Sequence, residues 1–209
     1  MKASKSIFKS VTTVFFLALS TALFSALFAA ALPAFASIDS EFERLKDLGE
    51  NYEISGVVCE QIARLDYEID YPAPKYEVVS GIAYGDEDGT LGELDVIVFE
   101  KSTGHALIVT EVKCWQDKAA ALKEARIQQA RFKNAVKSKR ALFFKSTKED
   151  GREYSKEAFA HVNKYESVSS KGSIVDGFDR EIPYSRSELS ELRSELLQCQ
   201  AAGDCKKPH

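Results

Sequence analysis

Apolar residues recur along residues 37–209 with two different periods, and these periods predict helices and strands. Apolar positions at helical spacing predict helices over 40–49, 54–67, 117–137 and 185–199. Runs rich in β-branched residues predict strands over 76–84, 94–100, 106–114 and 141–145, with a further strand over 165–169. This order, with no internal repeat, predicts one α/β domain with three layers around a mixed sheet.

The first 36 residues have the pattern of a segment that directs export. Three lysines precede an uncharged apolar stretch over 11–32, and Pro33 separates this stretch from the sequence AFA at 34–36. A positive start, an apolar run and a small-residue cleavage site are typical of a signal peptide. We therefore expect residues 37–209 to be exported as a single domain, periplasmic or secreted, with no membrane attachment after cleavage. The alternative is an uncleaved anchor, since about 20 apolar residues can span a bilayer.

All four cysteines of the chain follow the predicted signal peptide. An even number of cysteines in an exported protein indicates disulfide bonds. Cys199 and Cys205 enclose only the sequence QAAGD after the last predicted helix, so this is the pair that closes most easily. Cys59 and Cys114 would then pair with each other or remain as buried thiols.

The second and third predicted strands carry three charged residues within strongly apolar sequence. If the five-residue loop KSTGH closes a hairpin, Glu100 lies opposite Ala106, and counting back places Asp95 opposite Glu111. Because side chains alternate across a strand, Asp95, Glu111 and Lys113 then share one face. The alternative is a set of solvated charges on an exposed strand, which fits poorly with strands whose other residues look buried on both faces.

This predicted placement favours metal chemistry. Opposed Cβ atoms lie about 5 Å apart, and two carboxylates at that distance repel unless a positive group lies between them. A divalent metal would balance Asp95 and Glu111. Lys113 would add a fixed positive charge that orients or helps deprotonate a water and stabilises the charge of a phosphorane.

The residues just described resemble the motif of the PD-(D/E)XK nuclease superfamily. Asp95 followed by Glu111-Val112-Lys113 matches that motif in the form D-x15-E-x-K, with Leu94 in place of the leading proline. The sequence of residues 92–113 is most similar to the YraN-like and Holliday-junction-resolvase-like branches. The resemblance covers residues 56–145. It implies a restriction-endonuclease-like core of helix, three-stranded meander, helix and strand, here with an added C-terminal helix.

The resemblance also implies a role for each matching residue. Asp95 and Glu111 would bind Mg²⁺ or Mn²⁺, and Lys113 would be the catalytic lysine. Those branches place a glutamate after G-x3 on the first core helix, and Glu60 stands in that position, where it would complete the metal site; otherwise it is a solvated helix residue. Many members carry Q-x3-Y on the long helix, which here corresponds to Gln128 with phenylalanine in place of tyrosine. The alternatives are the neighbouring Gln129 or a simple surface glutamine.

Charge at first argues against a nucleic-acid partner, because the chain has 28 basic and 32 acidic residues and a net charge of −4. The charge is unevenly distributed, however. Residues 37–112 hold 5 basic and 18 acidic side chains, whereas residues 113–148 hold 11 basic and 2 acidic side chains. On a helical wheel, six basic residues form one broad arc beside the core-facing stripe of the long helix: Lys118, Lys123, Arg126, Lys133, Lys137 and Arg140. Such an arc suits a phosphodiester backbone, although a solvated helix face is the alternative.

Together these observations predict an exported, metal-dependent nuclease that hydrolyses phosphodiester bonds, of DNA in preference to RNA, alone or as a homodimer. The alternatives are a catalytically inactive nucleic-acid-binding module of the same fold, or a nuclease of RNA or of structured junctions. Trp115 and Tyr84 flank the predicted site, where they either stack on bases or pack in the core.

Overall fold

The computed structural model describes residues 37–148 and 150–208, so the predicted signal peptide lies outside the described residues. Within these ranges there are four α-helices: α1 Ile38–Leu45, α2 Val57–Asp70, α3 Lys118–Lys137 and α4 Arg186–Ala202. The same ranges contain six strands: β1 Tyr76–Asp86, β2 Gly89–Glu100, β3 His105–Val112, β4 Phe143–Ser146, β5 Lys164–Ser169 and β6 Arg180–Glu181. The predicted α/β class is confirmed, and only the short β6 was not predicted.

The six strands form one mixed sheet in the order β4-β1-β2-β3-β5-β6. Strands β4, β1, β2 and β3 are antiparallel neighbours, whereas β3 pairs with β5 in parallel, and so does β5 with β6. The predicted strand at 141–145 therefore forms as β4. It pairs with β1 at one edge of the sheet and is separated from β3 by β1 and β2. The strand that returns beside β3 after α3 is β5.

Local sequence explains where the helices begin. Asp117 accepts a hydrogen bond from the amide of Ala120 at the start of α3, and Ser185 forms a capping box with Glu188 at the start of α4. Helix α2 begins at 57 rather than 54, because Gly56 has a φ of 104°, which is outside the helical region.

Two buried clusters cover opposite faces of the sheet. Val96 and Val98 of β2 pack with residues of α1, α2 and α4, whereas Ile97 and Phe99 of the same strand pack in a second cluster with Phe132 of α3. Since consecutive residues of a strand point to opposite faces, helices cover both faces of β2. The sheet therefore lies between two helical layers.

Two disulfide bonds close within this domain. The predicted bond between Cys199 and Cys205 is confirmed, and Cys59 pairs with Cys114, which joins α2 to the segment after β3. Disulfides are compatible with an exported protein. Within the described ranges, the structure contains no helix that is both long and apolar enough to cross a membrane.

The aromatic ring of Phe132 should dominate the stability of the α3 layer. Phe132 is fully buried and contacts Tyr84, Phe144 and Phe159 edge-on, whereas Ile127 on the same helix is 42% exposed. We expect Phe132→Ala to lower the free energy of unfolding by about 3–5 kcal/mol, because it leaves a cavity. The control Ile127→Ala should change it by less than about 1 kcal/mol. Urea unfolding measures both, and equal effects would contradict this packing.

Candidate active site

The β2–β3 hairpin has the predicted register at the motif but a different register at its loop. Phe99 rather than Glu100 lies opposite Ala106, and an irregularity between Val98 and Phe99 shifts the remaining pairs by one residue. From there the pairing runs as predicted to Val96 opposite Thr110. The bulge therefore restores the register that places the next residues, Asp95 and Glu111, beside each other.

The two strands separate just beyond that last pair. The amide of Val112 donates to Oδ2 of Asp95 at 2.7 Å instead of to a main-chain carbonyl of β2. The main chain of Lys113 is held from the other side by β5, since its amide donates to the carbonyl of Val168 at 2.9 Å and its carbonyl accepts from Oγ of Ser169 at 2.8 Å. The end of β3 is therefore fixed on both sides, and this fixes where the Lys113 side chain begins.

The structure brings Asp95, Glu111 and Lys113 into direct contact. Nζ of Lys113 lies 2.7 Å from Oδ2 of Asp95 and 3.3 Å from Oε2 of Glu111. Glu111 is completely buried, and Asp95 is 9% exposed. The positive group between the two carboxylates is thus Lys113 itself, where the sequence predicted that a metal would lie with the lysine beside it. Two carboxylates share one ammonium, so the cluster carries an excess negative charge when both are ionised.

Burial and the excess charge shift the proton equilibria of this cluster. Burial, followed by the nearby carboxylate of Asp95, raises the pKa of Glu111 well above its ordinary value, although Lys113 opposes the shift. Burial alone would lower the pKa of Lys113, but the carboxylates of Asp95 and Glu111 outweigh it and raise that pKa. Lys113 therefore stays protonated and acts here as a hydrogen-bond donor and a fixed charge.

Glu60 lies beside this cluster, at the start of α2. Its Oε1 folds back over Gly56, where a Cβ would approach it to 3.3 Å, so the glycine leaves room for this carboxylate. Burial, followed by the charge of Asp95, raises the pKa of Glu60. The G-x3-E pattern thus has a physical basis in this structure: a glycine that opens the helix and an acidic side chain held close to the charges of Asp95 and Lys113.

The two candidate glutamines of α3 have different surroundings. Gln129 is 2% exposed, and its Nε2 donates to the carbonyl of Glu166 at 2.8 Å, so it joins α3 to β5. Gln128 lines the groove that contains Glu60 and Lys113. Of the two, Gln128 is the residue placed to contact a ligand of this site.

Two buried oxygen atoms beside the cluster lack hydrogen-bond partners among the described residues, and this bears on whether Mg²⁺ or Mn²⁺ could bind there. Within the described part of the chain, Oε1 of Glu111 and Oε1 of Gln128 are both buried without a hydrogen-bond partner. A buried acceptor without a partner is costly, and carboxylate and amide oxygens are the ligands that Mg²⁺ and Mn²⁺ prefer. The donor set therefore fits such an ion. Across residues 37–148 and 150–208, however, no three acidic, histidine or cysteine side chains converge closely enough to hold a metal, so Glu60 does not meet Asp95 and Glu111 in one group.

A large groove opens next to the cluster, and its far wall could not be predicted from the sequence. The groove has a volume of about 1030 Å³ and runs from Glu60, Lys113 and Gln128 to the first turns of α4. Arg186 and Arg193 are the arginines of α4 that line it. No local pattern links α4 to the motif, because the contact joins segments more than 70 residues apart in the sequence.

The predicted basic arc of α3 is largely occupied by internal partners. Lys118 pairs with Asp176 at 3.5 Å, Arg126 with Asp179 at 3.0 Å and Arg140 with Asp86 at 2.9 Å. In addition, Nζ of Lys133 lies 3.9 Å from the ring centre of Tyr165. Lys123 and Lys137 are exposed. Acidic residues that follow β5 or end β1 thus neutralise three of the six basic side chains. That all six form a surface for phosphates stays a prediction, with these ion pairs competing against it.

The arc also points away from the candidate site. A helix turns by about 100° per residue, so Arg126 lies about 160° around α3 from Gln128. Gln128 lies on the groove side, while Arg126 contacts Asp179 beside β5. Of the positive segment 113–148, it is Lys113 that lies in the groove.

A disulfide bond connects the two sides of the site. Cys59 immediately precedes Glu60, and Cys114 immediately follows Lys113, so the Cys59–Cys114 bond ties the two charged residues together through their neighbours. The two Cα atoms are 6.4 Å apart. A covalent bond therefore fixes the position of α2 relative to the end of β3, next to Glu60 and Lys113.

No family model, no curated protein and no solved structure matches this chain. The resemblance to the PD-(D/E)XK superfamily therefore rests on the sequence motif.

The raised pKa of Glu111 predicts how stability depends on pH. Between the ordinary value of 4.5 and the raised value, the native state binds more protons than the unfolded state, so stability falls as pH rises. Glutamine does not titrate, so without metal the variant Glu111→Gln should not show this loss. The free energy of unfolding of the variant minus that of the wild type should therefore increase from pH 4.5 to about pH 8. Urea unfolding in EDTA measures this difference. The exposed turn substitution Glu87→Gln should shift stability by less than about 0.5 kcal/mol at either pH. A difference for Glu111→Gln that does not change with pH would contradict the assignment.

The disulfide beside the site should stabilise the fold more than the C-terminal one. Its cysteines are 55 residues apart in sequence, compared with 6 for Cys199 and Cys205. Loop entropy predicts a loss of about 4 kcal/mol when Cys59 and Cys114 are both replaced by serine, and of about 2 kcal/mol for the C-terminal pair. Urea unfolding of the two double variants tests this order, and the reverse order would show that the first bond does not constrain the unfolded chain.

Proposed function

We propose that the protein is an exported, divalent-metal-dependent nuclease with a restriction-endonuclease-like core, which hydrolyses phosphodiester bonds of DNA in preference to RNA. The observation that carries the proposal is the cluster of Asp95, Glu111 and Lys113 at the opening of the β2–β3 hairpin, beside two buried oxygens that lack partners in the described ranges. The order of α2, the meander β1–β3, α3 and β5 agrees with that core.

Asp95 and Glu111 would hold Mg²⁺ or Mn²⁺, with Gln128 as a further oxygen donor at the groove, and Glu60 would act on the ion through a water. When bound, the ion balances the carboxylates, lowers the pKa of a water and polarises the phosphate. The Lys113 ammonium, kept protonated by its neighbours, donates hydrogen bonds to negative charge that develops on the phosphate. Glu60 has a pKa raised to about 7, so it can hold or release a proton near neutral pH.

A second function is favoured by one specific observation. Lys113 already lies between Asp95 and Glu111, so the three side chains form a buried ion-pair network. A non-catalytic nucleic-acid-binding module could use the same network to lock the end of β3. The unpartnered oxygen of Glu111 favours the first function because Glu111 contacts Lys113, which lines the groove beside a second unpartnered oxygen, on Gln128. Within the described ranges Glu41 also has an unpartnered oxygen, but its ion pair with Arg44 does not line the groove.

A cleavage assay decides between these functions. Supercoiled plasmid, linear DNA and RNA are incubated with the protein in Mg²⁺, Mn²⁺ or EDTA. We expect metal-dependent cleavage, and a loss of about 100-fold or more in Asp95→Asn and in Lys113→Met, because each removes charge from the reacting site. Circular dichroism and thermal unfolding establish that both variants are folded.

The control is Lys101→Ala, which removes one positive charge at the exposed loop of the β2–β3 hairpin, at the other end of these strands. It should cleave at the wild-type rate. If the wild type leaves all three substrates intact with every metal, the enzyme proposal is overturned and the binding module is favoured. If cleavage persists in both site variants, the activity belongs to other residues or to a contaminant.

A further inference from the structure

The groove beside the cluster extends well beyond the residues of the motif. It continues past Lys113 to Trp115, whose side chain is 47% exposed at the rim. Trp115 is the single tryptophan of the chain. Tyr84, the other aromatic residue that the sequence suggested for stacking, is 1% exposed and packs against Phe132. About half of Trp115 is thus open at the groove, and Trp115 belongs to neither buried cluster.

The opposite wall is a polar face of α4. Ser187, Ser190 and Ser194 follow one another at helical spacing and all line the groove, and each is exposed. Arg186 is exposed at the start of this face, with NH1 3.3 Å from Oε1 of Gln116. The wall thus offers three hydroxyl groups and one guanidinium, all of which bind phosphate oxygens readily.

Other charges of the groove limit what it can bind. Nε and NH2 of Arg193 donate to the carbonyls of Tyr52 and Glu53 at 2.7 and 2.6 Å, so this arginine supports the chain before α2. Glu60 and Glu191 add negative charge to the lining. The basic arc of α3 lies elsewhere. The groove therefore lacks the broad positive surface that tracks both backbones of a duplex.

We propose that this groove binds single-stranded nucleic acid, with a base stacked on Trp115 and the backbone directed along Arg186 and the serine face of α4 toward Lys113. An aromatic platform together with a modest set of phosphate donors is the chemistry that recognises single strands. The inference rests on the proposed function for the class of ligand. Binding itself needs no cleavage and is measured separately.

The position of Trp115 allows a direct test, because all tryptophan fluorescence of the protein comes from it. In EDTA, where no cleavage occurs, we expect oligothymidylate to quench this fluorescence to saturation, with an affinity that weakens as salt rises. A duplex of the same length should bind at least about 10-fold more weakly. An RNA oligonucleotide in a parallel titration shows whether the groove favours DNA.

Variants locate the binding. By anisotropy of a labelled oligonucleotide, Trp115→Leu should lose about 10-fold or more in affinity, whereas Trp115→Phe, which keeps an aromatic face, should lose less. Arg186→Ala should weaken binding, and so should Ser190→Glu, which places a negative charge on an exposed position of the groove. The matched control Lys101→Ala removes a positive charge far from the groove and should bind as the wild type does.

The outcomes separate this proposal from the nuclease. Saturable quenching that depends on Trp115 and Arg186 supports the proposal even if no substrate is ever cleaved, and the nuclease then fails alone. Absence of quenching, equal affinity for duplex, or affinity unchanged in Trp115→Leu, Arg186→Ala and Ser190→Glu overturns the proposal, even if cleavage is observed.

Discussion

A single buried ammonium determines how the centre of this fold is arranged. Lys113 lies between two carboxylates that are almost completely removed from water, and its ammonium is the positive group that both of them contact. The surrounding structure keeps that ammonium in place: β5 holds the main chain of Lys113 through Val168 and Ser169, and a disulfide ties the next residue to α2. A strand and a disulfide bond thus hold the main chain around one charged side chain.

The same contacts are consistent with a structural ion pair or with a reaction site, and two features favour the site. Glu111 shares its ammonium with Asp95 and keeps one oxygen without a partner in the described ranges, so the cluster is short of positive charge. The cluster also opens onto a groove of about 1030 Å³. The other buried oxygens without a partner in the described ranges, on Glu41 and Ser173, do not line this groove.

The sequence predicted the placement of the charged residues on β2 and β3 better than it predicted their surroundings. Alternation along two strands was enough to place Asp95 beside Glu111. At the hairpin loop the predicted pairing was wrong by one residue, but the bulge between Val98 and Phe99 shifts the register by one, so the pairs nearer the motif lie as predicted. The basic arc of α3 was visible on a helical wheel, but a wheel does not show that Asp179 folds against it. The groove wall on α4 depends on packing between distant segments, and no local pattern contains that information.

The central claim is that Asp95 and Glu111 form a metal site rather than a closed ion pair. Calorimetric titration with Mn²⁺, repeated in buffers of different ionisation enthalpy, tests it most directly. We expect one binding site per chain, release of protons on binding because the pKa of Glu111 is raised, and loss of binding in Glu111→Gln. Absence of binding in the folded wild type, or binding that Glu111→Gln leaves unchanged, would contradict it.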